Sequence, residues 1–336
     1  MIYQQQPFNS GFSPASTTTD VIQGISLKNK NAIVTGGHSG LGLETVKALY
    51  SAGVNVVVPA RNVKKARENL ASYPDVEIIE MDLSSPESVK HFSESFINKN
   101  KALHILINNA GIMATPTLEI DARGFEVQFS TNHLGHFQLT CLLWPALCQA
   151  QGARVITVSS RAHRLSPIVF EDISFDMRPY DCWKAYGQSK TANILFTREL
   201  AKRGAQDAVQ AFSVHPGAIY STNLSRNMDR TDLQSSGALD STGKATVDLS
   251  LDRKSAEQGA ATQVWCATTL SLNEYSGQYC EDCQIAPLLS SETPPMILGE
   301  ASSMTLQGVD AFTMDEESSR RLWGISEIAT GLNFLS

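Results

Sequence analysis

Several things are scarce in this chain, and each scarcity excludes something. Six cysteines among 336 residues, at Cys141, Cys148, Cys182, Cys266, Cys280 and Cys283, are too few and too scattered for the disulfide framework of a small secreted domain. Cys280-Glu-Asp-Cys283 has redox or zinc spacing, but no second Cys pair or Cys/His pair lies near enough to complete a metal site. Basic charge is in deficit: 27 Lys and Arg stand against 34 Asp and Glu, a formal net charge of −7. That balance argues against a nucleic-acid partner, whose phosphates require clustered cations. No apolar run approaches the ~20 residues of a membrane span. The first 26 residues carry one charge, Asp20, and lack the basic start and apolar run of a signal peptide. A soluble, cytoplasmic protein with reduced thiols is the expectation. No internal repeat is found.

What is present is a rhythm. From Asn31 onward, short apolar runs alternate with helical stretches, the pattern of an α/β fold with a doubly wound parallel sheet covered by helices. Strands are predicted at Ala32–Thr35, Val54–Val58, Val76–Met81, Leu103–Ile107, Arg154–Val158, Gln210–Val214 and Gly277–Tyr279, about seven in all. These runs are apolar nearly throughout, as befits strands buried on both faces. Helices are predicted at Leu41–Ser51, Gly124–Leu147, Tyr186–Arg203 and Ser255–Thr269. Residues 1–26 read as a partly flexible N-terminal extension and residues 27–336 as one Rossmann-type domain. Two polar or mixed segments, 223–252 and 288–310, break the rhythm and read as lids or binding loops.

Between the first strand and its helix lies Thr35-Gly36-Gly37-His38-Ser39-Gly40-Leu41-Gly42. Glycines there permit a tight turn and let a pyrophosphate approach the helix N-terminus, where free N–H groups favour anions. An NAD-binding site would place a carboxylate at the end of the second strand; here Ala60 is followed by Arg61, and no acid occurs before Glu68. Arg61 can pair with the 2′-phosphate of NADP(H) through its planar fork, so NADP(H) is expected over NAD(H).

The glycine turn is one of several motifs that fall in a single order: Asp82-Leu83, Asn108-Asn109-Ala110-Gly111, Asn132, Ser159-Ser160, Tyr186-x-x-x-Lys190 and Pro216-Gly217. In that order and spacing the chain, from about Ser26 to its end, resembles the short-chain dehydrogenase/reductase superfamily. Asn132-His-Leu-Gly-His-Phe137, His215-Pro-Gly217, Tyr279-Cys-Glu-Asp-Cys283 and Arg321-Leu-Trp323 look like its retinol-dehydrogenase-like branch. The resemblance implies that Gly36, His38, Ser39, Gly40, Leu41 and Gly42 cradle the cofactor and that Asp82 and Leu83 border its adenine. It implies further that Asn109, Ala110 and Gly111 line the channel and that Pro216, Gly217, Ile219 and Ser221 meet the nicotinamide. Members of the family often pair through the helices carrying Asn132 and Tyr186, which implies a homodimer or homotetramer.

Tyr186 and Lys190 lie four apart, on one face of a predicted helix. A phenol with a pKa near ~10 is a poor base at neutral pH, and a neighbouring ammonium lowers that value. Tyr186 can then donate a proton to a developing alkoxide or accept one from an alcohol, while Lys190 also holds the nicotinamide ribose. Ser160, with Ser159 as its competitor, ends the fifth strand and can steady the substrate oxygen; the family pattern assigns this to the second serine. Asn132, by the same resemblance, helps hold a water that connects Lys190 to solvent. His133 and His136 have a spacing that permits a metal, but no third ligand is evident and they read as core residues; no metal is expected. His215 reads as structural. The insertion 161–185 carries Leu165, Ile168, Phe170, Phe175, Tyr180 and Trp183, some of them expected to wall a substrate pocket with Leu224, Leu288 and Leu289. The expected activity is NADP(H)-dependent interconversion of an apolar carbonyl and its alcohol. An epimerase or dehydratase, or a regulatory NADP-binding protein without turnover, is the alternative.

Overall fold

Apolar, β-branched runs form the strands β1 (Asn31–Val34), β2 (Asn55–Ala60), β3 (Glu77–Glu80), β4 (Ile105–Asn108), β5 (Arg154–Val158), β6 (Gln210–His215), β7 (Tyr279–Glu281) and β8 (Gln284–Ile285). They belong to a computed structural model that describes residues 5–334. The strands form one sheet in the order β3-β2-β1-β4-β5-β6-β7-β8, parallel except for the β7–β8 hairpin. The eighth strand exceeds the sequence expectation of about seven. It is two residues long, too short to leave a periodic signal, and follows a turn in which Asp282 and Cys283 both adopt positive φ.

Side chains alternate across the sheet with period two. Ala32 and Val34 of β1 enter a cluster with Val46, Leu49 and Trp265, whereas Ile33 enters a second cluster with Phe92, Phe137 and Phe196. The first cluster lies under the helices Gly40–Ser51 and Ala256–Thr268; the second lies under Pro86–Ile97, Gly135–Leu142 and Cys182–Arg203. Trp323, on the helix Glu316–Thr330, stacks on Phe196 at 5.8 Å and meets Phe137 edge-on at 4.9 Å. Truncating a buried Trp costs ~3–5 kcal/mol, so this late helix clamps the helix carrying Tyr186.

Two helices differ from their predicted course. The stretch expected as one helix over 124–147 starts at Val127, runs without a gap through a π-helical turn at Ser130–Leu134 into Gly135–Leu142, and is interrupted at Leu143 before Trp144–Gln149. Buried Glu126 caps its start by accepting the Phe129 N–H, and Pro145 sits at the start of the last piece. The Tyr186 helix begins earlier than expected, at Cys182, because the Asp181 carboxylate accepts the N–H groups of Trp183 and Lys184.

In the N-terminal segment, Thr17 and Asp20 form a capping box for the helix Thr18–Ile22, and Val21 and Ile22 join the first cluster. The Gln5 side chain donates to the carbonyls of Tyr279 and Ala286 and accepts the Tyr279 N–H. Residues 1–4 of the expected extension lie outside the described residues. The polar segment 223–252 holds a short helix, Arg230–Ser235, over a small cluster of Leu233, Ala238 and Leu239.

The strand order reverses at β1/β4. The glycine turn leaves β1 there and Asn109–Gly111 leaves β4, while Ser159-Ser160 and Pro216-Gly217 leave the neighbouring β5 and β6. Such a switch point is where open α/β sheets hold ligands.

Candidate active site

The β1 end is built around Thr35. Its Oγ1 accepts the N–H groups of Asn109 and Ala110, both at 2.9 Å, and Asn109 Nδ2 donates to the Thr35 carbonyl at 2.7 Å. His136 stands behind it. Its Nδ1 faces the Asn132 carbonyl at 3.0 Å and so must carry the hydrogen, leaving Nε2 to accept the Thr35 hydroxyl at 2.9 Å. Burial pushes His136 down to about 4, so it is neutral. His133 is likewise buried against Ser326, and no group of three or more His, Cys, Asp or Glu suited to a metal occurs among the described residues.

Gly36 and Gly40 turn the chain with φ of +65° and +53°. At Gly42 a Cβ would collide with the Gly36 carbonyl, so only glycine lets the helix sit against the turn. Ser39 is the N-cap residue, yet no side chain caps the helix Gly40–Ser51. Its first N–H groups and the positive end of a 12-residue helix are thus available to an anion beside Gly40 and Leu41. This uncapped, glycine-lined end fits the pyrophosphate of a nicotinamide dinucleotide.

Arg61 is exposed at the end of β2, and half-buried His38 lies within reach of its charge. His38 is held below its ordinary value first by burial and then by the charges of Lys65 and Arg61. Lys65, on the helix Val63–Asn69, is thus a second cation whose charge reaches His38, one that the sequence reading did not name. Asp82 has one carboxylate oxygen occupied by the N–H and hydroxyl of Ser84, at 2.9 and 2.7 Å. The Leu83 carbonyl is approached so closely by Gly135 that a Cβ there would collide with it. That approach seats the helix following Asn132 against the end of β3.

The two serines separate cleanly. Ser159 is buried and donates to the Lys190 carbonyl at 2.7 Å, whereas Ser160 is partly exposed, accepts the Ala162 N–H at 3.1 Å and neighbours the Tyr186 phenol. Burial pushes that phenol up to about 12, and the Ser160 hydroxyl opposes the rise. Lys190 is buried, donates to the Val158 carbonyl at 3.0 Å and sits 5.5 Å from the Tyr186 ring centroid. Burial pushes its ammonium down to about 7. Asn132 lies in the π-helical turn; its Oδ1 accepts the Ile112 N–H at 2.9 Å and its Nδ2 donates to the Ile112 carbonyl and to Ser189 Oγ. Gly111 packs between Asn132 and Lys190, where a Cβ would stand 3.1 and 3.7 Å from their polar atoms. The structure thus brings Ser160, Tyr186, Lys190 and Asn132 together with Gly111.

Pro216 is buried and Gly217, at φ +91°, makes room for the Lys254 side chain. Ile219 and Leu41 both press on Gly259 of the helix Ala256–Thr268, and Thr222 sits over Gly40. The β6 loop and the glycine turn therefore share one wall, with Ser221 exposed on that loop. Of the apolar insertion residues, Ile168 and Phe170 pack into a cluster with Phe129 and Leu195. Tyr180 is tied to Thr115 and Gln128. The Trp183 ring meets Tyr186 edge-on at 6.3 Å.

The short chain dehydrogenase family model matches residues 30–233. A Streptomyces lividans protein named "Probable oxidoreductase" is 40% identical over 304 residues, covering 89% of this chain and 97% of its own length. The chain belongs to the short-chain dehydrogenase/reductase family. Within that family this oxidoreductase has the features of the retinol-dehydrogenase-like branch: it is 39% identical to mouse retinol dehydrogenase 12, over 77% of this chain and 80% of the relative. An uncharacterised protein from Mycobacterium paratuberculosis superposes with a TM-score of 0.70 at 31% identity, covering 96% of this chain and 100% of the other. The RhlG/NADP active-site complex of Pseudomonas aeruginosa gives 0.60 at 25% identity, over 76% of this chain and 95% of its own. Members of the family bind a nicotinamide cofactor and act on small molecules. No helix among the described residues is long and apolar enough to cross a membrane.

Proposed function

We propose that this oxidoreductase interconverts a carbonyl and an alcohol with NADP(H), using Tyr186 as proton donor and acceptor. The observation that carries the reading is the Lys190 ammonium 5.5 Å from the ring centroid of the buried Tyr186 phenol, with Gly111 leaving room beside Lys190 and Asn132. The nicotinamide, when bound, supplies or accepts the hydride. Ser160 orients the substrate oxygen beside the phenol, and its hydroxyl opposes the rise that burial imposes on Tyr186. The Lys190 charge stabilises the phenolate left when Tyr186 gives its proton to the growing alkoxide. Asn132 supports this group by fixing Ile112, next to Gly111, through two hydrogen bonds.

Arg61 and Lys65 support NADP(H) over NAD(H), since cations that act together on His38 of the glycine turn suit a ribose 2′-phosphate. Trp183, edge-on to the Tyr186 ring, supports an apolar substrate. A panel of aldehydes, ketones and alcohols assayed with NADPH and NADH tests the reading. Tyr186→Phe should lose ~100- to 10,000-fold in turnover while still binding cofactor. Full turnover by that variant, or preference for NADH, refutes the corresponding part.

A further inference from the structure

Directly after Ser160 comes a residue whose side chain is spent on no substrate. Arg161 is 3% exposed, and its guanidinium donates to Asp252 at 2.7 Å, to the Met304 carbonyl at 2.9 Å and to Glu281 at 3.2 Å. Its N–H donates to His215 Nδ1 at 3.1 Å, which obliges the other ring nitrogen to carry the hydrogen and donate to Asp252 at 2.9 Å. Asp252 is itself unusual: a non-glycine residue at φ +55°. Its carbonyl accepts the Ala218 N–H at 2.9 Å, and the Ala218 carbonyl accepts the Lys254 N–H at 3.1 Å. Lys254 in turn pairs with Asp282. The Gly308 N–H donates to Glu281 at 2.6 Å.

These bonds join three pieces of chain distant in sequence: the turn that carries Ser160, the loop that begins at Pro216, and the late segment around 304–308. Buried ion pairs give little net stability over apolar packing, but they fix one arrangement among several. We propose that Arg161 and Asp252 are positioning residues that hold the Ser160 turn in register with the nicotinamide-receiving loop. The substrate oxygen and the hydride position are thereby set by one buried bridge. This rests on the activity proposed above, and the late segment is tied into the same bridge through Met304 and Gly308.

The test uses the full chain and the variants Asp252→Asn, Arg161→Lys and the apolar pair Arg161→Met/Asp252→Leu. The double change leaves neither member of the Arg161–Asp252 pair as an unmatched buried charge and serves where a single variant fails to fold. Turnover should fall ~10- to 100-fold, as for a misplacement of about an ångström, with the dissociation constant for NADPH nearly unchanged. The primary deuterium isotope effect with 4-deuterated NADPH should rise, because hydride transfer becomes slower than the other steps. Arg161→Lys should recover part of the loss in Arg161→Met/Asp252→Leu. Folded variants with unchanged turnover and isotope effect would overturn the proposal. Hydrogen exchange supplies a readout independent of turnover: Asp252→Asn should raise exchange in both 161–166 and 216–222 while leaving 35–43 unchanged. A change confined to 249–254 overturns it too. A wild-type protein inactive across the carbonyl panel would defeat the proposed activity and leave the exchange comparison to decide this one.

Discussion

Replacing Lys190 by Met should stabilise the cofactor-free protein while removing its turnover. Lys190 is buried, and burial pushes its ammonium from 10.5 down to about 7. A lysine whose folded value lies below its unfolded value binds fewer protons folded than unfolded between those two pH values. Its penalty is therefore complete below pH 7 and is relieved as pH rises from about 7 to 10.5. At ~1.4 kcal/mol per decade that gap amounts to about 5 kcal/mol, an upper bound because relaxation lets water reach a buried charge. Methionine keeps the unbranched length and can rest its sulfur on the Tyr186 ring. The Val158 carbonyl that loses the ammonium keeps a donor, since Asn193 Nδ2 also reaches it at 3.0 Å. Urea unfolding of wild type and Lys190→Met at pH 6, 7, 8 and 9 gives the difference directly, with other titrating groups cancelling. The variant should be the more stable by a few kcal/mol at pH 6, and its advantage should shrink steadily above pH 7. A variant less stable at pH 6, or a difference flat with pH, refutes the reasoning.

Arg61→Ala with Lys65→Ala should raise the KM for NADPH ~10- to 100-fold and leave that for NADH within a factor of about three, since each charge-assisted bond to the phosphate is worth ~1.5–3 kcal/mol in a buried setting and less when exposed. Equal loss with both cofactors counts against the proposed phosphate site. Gly42→Ala places a methyl against the Gly36 carbonyl; opening the turn should cost ~1–3 kcal/mol and abolish cofactor binding by titration calorimetry. Unimpaired binding would mean that the turn does not grip the cofactor.

Much of the fold was legible because its strands are buried on both faces and announce themselves as apolar runs. The candidate site could be proposed where chemistry constrains residue type, as at Tyr186, Lys190 and the glycines, and the fold brings these residues to one end of the sheet. What escaped was set by partners far away in sequence. The π-helical turn at Asn132 leaves no periodic signal, and the partners of the Asn side chain, Ile112 and Ser189, lie 20 and 57 positions away. The early start of the Tyr186 helix was readable after all, from Asp181 as an N-cap residue. Lys65, the second cation in the proposed phosphate site, was not named because it sits in the first turn of the next helix rather than at the strand end. Nothing local to Asp252 marks it; its role rests on contacts to residues 37 and 91 positions earlier.

The Gln5 clamp bears on how copies of this chain can assemble. A sheet grows when a foreign strand finds free amides along an outer strand, and here the β7–β8 margin is partly occupied by the chain's own first described residue. At the opposite margin, β3 begins and ends with Glu77 and Glu80, so a second copy pairing antiparallel in symmetric register would set carboxylate against carboxylate. Strand-to-strand joining is thus disfavoured on both sides, and a homo-oligomer of this chain should be joined through its helices rather than by extending its sheet.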